Sequence, residues 1–444
     1  MGRRARSGPP SLSLPPSLRR SFEQACSHIS RDRLADILAM LVDTPSPTGG
    51  EAPLARRIAA HLGGLGIEAC EQRLQAEQSN AVGWLGGSGG GASLLLYSPI
   101  DTVTSNDAEE DLPWAGNALR ADMRANAWRE NDTLFGLGAQ NPKGHAACIV
   151  MAAEALVRAK APLAGQLRLG FGAGGMPTDS RSSKVKDTGH GVGCAHMLAA
   201  GPRPDYAIIA KTGWAVSWEE VGLAWYEVRV RGTHTYVGSR HLLPYANAID
   251  HMGRVVRALE QWFPLWTERN RSGLVAPQGV VSFIEGGASR TAAFTPAECR
   301  IRFDLRLNPR TIPAEADEAI GLFLDELSAS DSVDLSWRRL LAIPGTSTPE
   351  DNWIIRSTIA GWEELEGGVH TAIPGLSGAT DANILRAHGV PTARVGLPKA
   401  PLDDLDFQLG MNAAYLPHME RLTRLLVHSA LATCNRPSDG GRDG

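Results

Sequence analysis

Apolar positions along the chain follow two periods, and the dominant period changes partway. Leu34, Ile37, Leu38 and Leu41 recur at i, i+3, i+4 and i+7, so Arg33 to Val42 reads as an amphipathic helix. It stops at Thr44-Pro45-Ser46-Pro47-Thr48-Gly49-Gly50, because proline restricts its predecessor and glycine punctuates. A second helix is predicted over Ala52 to Leu62 and an alanine-rich one over Gly144 to Lys160. Short apolar runs at 93–97, 166–171 and 205–210 read as buried strands. Strands alternating with helices imply an α/β fold whose mainly parallel sheet is covered by helices on both faces.

After Trp214 the strands become half-exposed. Trp225 to Val230 and Arg300 to Leu307 alternate apolar and polar residues, with helices predicted at 247–262 and 314–329 and again at 351–364. This order predicts a larger α/β domain built from 22–217 and 342–436, into which a smaller α+β domain, 218–341, is inserted. Residues 1–21 and 437–444 are expected to be disordered tails. The first holds five arginines, no acid and no apolar core, which makes it a poor export signal.

Composition narrows the function classes. The 444 residues hold 44 Lys and Arg against 48 Asp and Glu, a net charge of −4, with 43% hydrophobic residues. A nucleic-acid binder would need a marked basic excess, and no apolar run approaches the ~20 residues of a bilayer span. Neither nucleic acid nor a membrane is therefore expected as a partner. The six cysteines are scattered singly without a Cys-x-x-Cys pair, as expected of reduced thiols in a cytoplasmic protein.

Six motifs then fall in one order. They are Thr44 to Glu51, Leu94 to Val103 (L-L-L-Y-S-P-I-D-T-V), Gly136 to Gly144 (G-L-G-A-Q-N-P-K-G), Val230 through Ile249, Phe303-Asp304-Leu305-Arg306, and Gly378-Ala379-Thr380-Asp381-Ala382. Together they resemble the M20 metallopeptidase family of acetylornithine deacetylase, succinyl-diaminopimelate desuccinylase, aminoacylase and glutamate carboxypeptidase. The resemblance implies a catalytic domain, a lid domain that often dimerises, and a two-metal site that hydrolyses amide bonds.

The metal ligands that the resemblance implies are nearly all replaced. Pro99 stands at the first histidine position, and a peptide proline offers a metal no donor. Asn141 stands at the bridging aspartate, where a neutral amide bridges two dications poorly. Ala173-Gly174-Gly175-Met176-Pro177 replaces the Glu-Glu pair of base and ligand, and Lys211 replaces a further carboxylate. Pro398 to Asn412 lacks the last histidine, and Tyr236 aligns with the lid histidine beside His234. Of the central group Asp101 remains, which in the family orients a ligand. No bound metal and no cofactor are expected.

The replacements have a chemistry of their own. Gly174 and Gly175 are expected either to aim backbone N–H groups at a substrate anion or simply to form a tight turn. Lys211 reads as a base or nucleophile, as a cation holding a substrate carboxylate, or as a charge partner for Asp101. His145, at a helix start, is a candidate base or a packed structural residue. Asn141 suits hydrogen bonding to an amide substrate or to its own turn, and Lys143 keeps the family position. Arg306 suits a substrate carboxylate or an ion pair with Asp304, and Tyr236 and Asp381 complete the expected binding set. The aromatic and acidic group Trp214, Trp218, Glu219, Glu220 and Trp225 suits a pocket or simple packing.

Two functions are consistent with this pattern. One is a metal-independent hydrolase or transferase acting at a C–N bond of a small N-acyl amino acid, with Lys211, Asp101, Asn141 and His145 as its catalytic groups. The other is an inactive relative that binds a small carboxylate-bearing molecule or serves as a partner subunit. A homodimer through the lid is expected in either case.

Overall fold

The computed structural model describes residues 12–179 and 189–438. The chain opens with helices α1 (Pro16–Cys26), α2 (Arg31–Val42) and α3 (Ala52–Gly64), then strands β1 (Glu68–Arg73), β2 (Ser79–Leu85) and β3 (Leu94–Pro99). It continues with α4 (Lys143–Arg158), β4 (Leu167–Gly172), α5 (Val192–Ala199) and β5 (Tyr206–Ala210). Next come β6 (Gly222–Arg231), α6 (Ala248–Asn270), β7 (Gly279–Gly286), β8 (Glu298–Leu307), α7 (Pro313–Asp331) and β9 (Leu335–Ile343). The last principal elements are α8 (Trp353–Glu366), α9 (Ala382–Ala387), β10 (Thr392–Val395) and α10 (Leu416–Cys434). No described helix is long and apolar enough to cross a membrane.

These elements form two compact units. The first takes the chain up to Trp218, Thr348–Ala372 and Thr380 onward; the second takes Glu219–Ser347 and Ile373–Ala379. In the first unit a six-stranded sheet runs β1-β2-β4-β3-β5-β10. The β4–β3, β3–β5 and β5–β10 pairs are parallel, while β1–β2 and β2–β4 are antiparallel. Alternate residues of β3 face different cores: Leu94 and Leu96 join the cluster around α4, Leu95 and Tyr97 the one around α5. Helix α4 is buried on all sides from Lys143 to Leu156. Its alanines allow this, since small side chains let neighbouring elements approach every face. Glu154, the one carboxylate in that stretch, is held by Arg33 and Arg158.

The second unit has a four-stranded antiparallel sheet in the order β7-β8-β6-β9. Its inward residues, such as Tyr226, Val228, Ile301 and Phe303, pack with Met252 and Phe263 of α6 and Ile320 of α7. The period-two alternation of β6 and β8 is the signature of a sheet with one covered face.

The N-terminal tail expected over 1–21 is corrected in part, residues 1–11 lying outside the described residues. Pro16 to Cys26 is a helix, started by prolines whose fixed φ suits the first turn. It is tied down because Phe22 is buried and meets the His428 ring edge-on at 5.8 Å, and because Arg19 grips both oxygens of Glu364. At the other end, Ser438 donates its N–H to the Gly90 carbonyl at 3.0 Å, so 437–438 are not a loose tail; 439–444 lie outside the described residues.

Phe22→Ala is expected to cost about 3 kcal/mol by emptying a buried aromatic site. Urea unfolding checks this, and an unchanged midpoint would mean that α1 contributes no packing.

Candidate functional site

The carboxyl ends of β3, β4 and β5 carry most of the residues singled out above. Pro99 closes β3, the turn 173–176 follows β4, and Lys211 follows β5. Ligands of open parallel sheets bind at this edge.

Asp101 is wholly buried, and donors occupy both of its oxygens. Oδ1 accepts the Gly175 N–H at 2.8 Å; Oδ2 accepts the Met176 N–H at 2.9 Å and the Thr48 hydroxyl at 2.7 Å. The Gly174 N–H goes instead to Glu51 Oε1 at 2.9 Å, which also takes the Gly49 N–H at 3.0 Å and the Gln78 amide at 3.4 Å. An anion nest therefore exists, but the chain's own carboxyl groups fill it. The expectation that Gly174 and Gly175 bind substrate through their N–H groups is corrected, and Asp101 is anchored to the turn through both of its oxygens. Gly175 has a further reason to lack a side chain: a Cβ there would lie 2.3 Å from Cβ of Pro99.

Glu51 is the residue that the sequence reading quoted but gave no role. It is wholly buried at the start of α3, and its Oε2 has no hydrogen-bond partner among the described residues. Burial first, and the Asp101 carboxylate second, push its pKa up to about 8. Its signal was present in the sequence: an acid directly after Gly49-Gly50, whose free backbone lets it turn back onto the loop.

Two other candidates prove to be interior groups. Lys143 is fully buried, donates from Nζ to the Thr44 carbonyl at 2.9 Å, and is pushed down to about 7 by burial, with Asp43 opposing. It does not face a substrate. His145 is also fully buried, and its Nε2 accepts the Leu397 N–H at 3.1 Å. Burial, then the charges of Lys211 and Arg394, hold its pKa well below the usual imidazole value, so the ring is neutral with its acceptor nitrogen occupied. The expected catalytic role of His145 is corrected to a structural one.

Asp381 is buried and accepts the Tyr97 hydroxyl at Oδ2, 2.6 Å away. Lys211 is 9% exposed and lies against Gly396, where a Cβ would come 2.0 Å from the Lys211 carbonyl oxygen and 2.7 Å from His145 Nε2. Asn141 is 8% exposed, its Nδ2 reaching only the Met411 thioether at 3.5 Å. Its Oδ1 is buried without a hydrogen-bond partner among the described residues. Asn141 thus keeps an open acceptor oxygen, and Lys211 lies largely buried at this edge.

Tyr236 and Arg306 belong to the second unit. Arg306 Nε pairs with Asp304 Oδ1 at 2.7 Å, while the Trp225 indole donates to Asp304 Oδ2 at 2.8 Å. Tyr236 is half-exposed, with its ring tilted against Phe294 at 5.2 Å. Glu219 receives the Leu274 N–H and pairs with Arg310, a structural use of that acid.

No family model matches the chain. It is 23% identical over 341 residues to N-formyl-4-amino-5-aminomethyl-2-methylpyrimidine deformylase of Bacillus subtilis (strain 168), covering 72% of this chain and 74% of the relative. Human carnosine dipeptidase 1 matches with a TM-score of 0.68 and 13% identity, over 95% of this chain and 99% of that one. An M20 family metallo-carboxypeptidase, Sso-CP2 of Sulfolobus solfataricus, matches at 0.64 and 12%, over 89% and 98%. The chain thus resembles M20 peptidases and amidohydrolases in fold, and its relatives are enzymes of C–N bonds. The donor set does not fit their metals: among the described residues no three His, Cys, Asp or Glu side chains gather to hold an ion.

Glu51 should imprint an unusual pH dependence on stability. Between its ordinary carboxyl value near 4.5 and about 8, the unfolded chain ionises while the folded chain keeps the proton. Its contribution is therefore lost as pH rises through that window, by on the order of a few kcal/mol. Lys143 acts in the opposite sense, so the difference between variants is the clean readout. Urea unfolding of Glu51→Gln should match wild type near pH 5 and exceed it increasingly towards pH 8; a constant difference would show that Glu51 is not protonated in the fold.

Proposed function

We propose that the protein uses the M20 fold to bind a small carboxylate- or amide-bearing molecule, without the two-metal hydrolysis of its relatives. The observation carrying this reading is the engagement of both Asp101 oxygens by Gly175, Met176 and Thr48, with Glu51 taking the neighbouring N–H. The groups nearest to the replaced metal ligands thereby support the loop and are not presented to a substrate. Lys211 supplies a cation for a carboxylate, and the open Oδ1 of Asn141 accepts an amide N–H.

A second reading, metal-free hydrolysis of a C–N bond in an N-acyl amino acid, is favoured by the likeness to the deformylase. In that reading Lys211 would polarise or attack the carbonyl and Asn141 would orient it. Six free cysteines support a reducing compartment, the cytoplasm, for either reading. We also propose a homodimer through the second unit, supported by the edge strand β7, which leaves Val280, Phe283 and Ile284 exposed.

Purified protein should carry well under one tightly held zinc per chain, and chelator should leave its melting temperature unchanged. In a screen of N-acyl amino acids, binders should raise the melting temperature without turnover, and Lys211→Met should abolish the effect. Turnover that survives chelation and dies in Lys211→Met would establish the second reading, while stoichiometric zinc lost together with stability would overturn both. Light scattering at micromolar concentration should give a dimer, and a stable monomer would remove that part.

A further inference from the structure

A recess lies at the other end of the six-stranded sheet, beside the first residues of its parallel strands. Leu95 of β3, Arg168 of β4 and Trp84 of β2 stand side by side in register and form its floor. Met197 and Leu198 of α5 form the roof, and the loop 200–204 completes the wall. The cavity measures about 170 Å³. An apolar cavity of about 150 Å³ holds a benzene-sized molecule, so the space suits one ring or a short branched chain.

Its polar groups are few and of one kind. The Arg168 guanidinium donates from Nε to Gln166 Oε1 at 2.7 Å and from Nη1 to the Pro202 carbonyl, both neutral acceptors. Among the described residues no carboxylate lies within ion-pair distance of it. Asp205 attracts it from further off, while Asp205 Oδ2 takes the backbone N–H and hydroxyl of Ser93, 2.7 and 2.8 Å away. Burial pushes the guanidinium's pKa down, with the more distant Asp205 charge opposing it. Gln72 also lines the recess but stands opposite Asn80, four residues along β2 from the Trp84 that pairs with Arg168, and its Oε1 accepts from Asn80 at 2.7 Å. The guanidinium, whose Nη2 lies outside these two bonds, suits a carboxylate.

We propose that this recess binds a small monocarboxylic acid with a compact apolar body, the carboxylate on Arg168 and the body between Trp84, Leu95, Met197 and Leu198. The site is separate from the one around Lys211 and does not depend on that reading. An acid is preferred over its neutral amide because only the anion supplies the missing counter-charge.

Titration calorimetry of the full chain with phenylacetate, isovalerate and phenylacetamide tests this. One of the acids should bind with a Kd of about 1 mM or tighter, and phenylacetamide at least about tenfold more weakly than phenylacetate if that acid is the binder. Arg168→Gln should weaken binding at least about tenfold, and Arg168→Lys should restore part of it. Leu198→Trp, which fills the roof, should block the acid, and Lys211→Met should leave it unchanged. Binding lost in Lys211→Met and kept in Arg168→Gln would overturn the proposal, as would equal binding of phenylacetate and phenylacetamide. No binding of either acid at about 10 mM would also overturn it. If Arg168→Gln fails to fold, the acid–amide comparison and Leu198→Trp still decide.

Discussion

A buried carboxyl group must be hydrogen-bonded, and in this protein that single requirement organises the carboxyl end of the central sheet. Asp101 and Glu51 are both wholly buried, and between them they absorb the N–H groups of Gly174, Gly175 and Met176. Three successive amides pointing the same way could have served an incoming anion. Here they hold loops from three places in the chain against one another: the segment around Thr48 and Glu51, the end of β3, and the turn after β4. Burial, and then the neighbouring Asp101 carboxylate on the same turn, is why Glu51 holds its proton to higher pH.

The other replacements follow from that arrangement. Pro99 carries no donor, yet its ring fills the space over Gly175, and any side chain at 175 would collide with it. The proline and the glycine fit as a pair. Near Lys211 the same logic recurs. Gly396 leaves room for the Lys211 carbonyl and for His145, whose ring is neutral and bonded to the next amide in the chain. A metal site needs anionic donors that are oriented but not satisfied by the protein. The acids at this edge are largely engaged by the protein itself, Asp101 by three donors, Glu51 through Oε1 and Asp381 by Tyr97.

Much of the fold was legible because its signals are local and periodic. The i, i+3, i+4 spacing of Leu34 to Leu41 gave α2, and the period-two runs gave β6 and β8. The edge strands β1 and β7, with mostly exposed residues, left little apolar pattern to read. Helix α1 was hidden in an Arg- and Pro-rich stretch whose order comes from long-range contacts, Phe22 to His428 and Arg19 to Glu364, which no local window contains. The candidate site was legible as a set of positions but not as a set of roles. Lys143, His145 and Asp101 look reactive by residue type, whereas burial and partner geometry decide whether a group is available, and both are tertiary properties.

Availability therefore separates the two ends of the sheet. At the carboxyl end, acids and amides meet most of each other's demands, leaving the Asn141 oxygen and Glu51 Oε2 without a hydrogen-bond partner among the described residues. At the amino end the imbalance has the opposite sign: Arg168 is partly desolvated with only neutral acceptors in contact, beside an apolar floor. A cation in that state is worth more to an anionic ligand than one in water, because much of its desolvation is already complete before the ligand arrives.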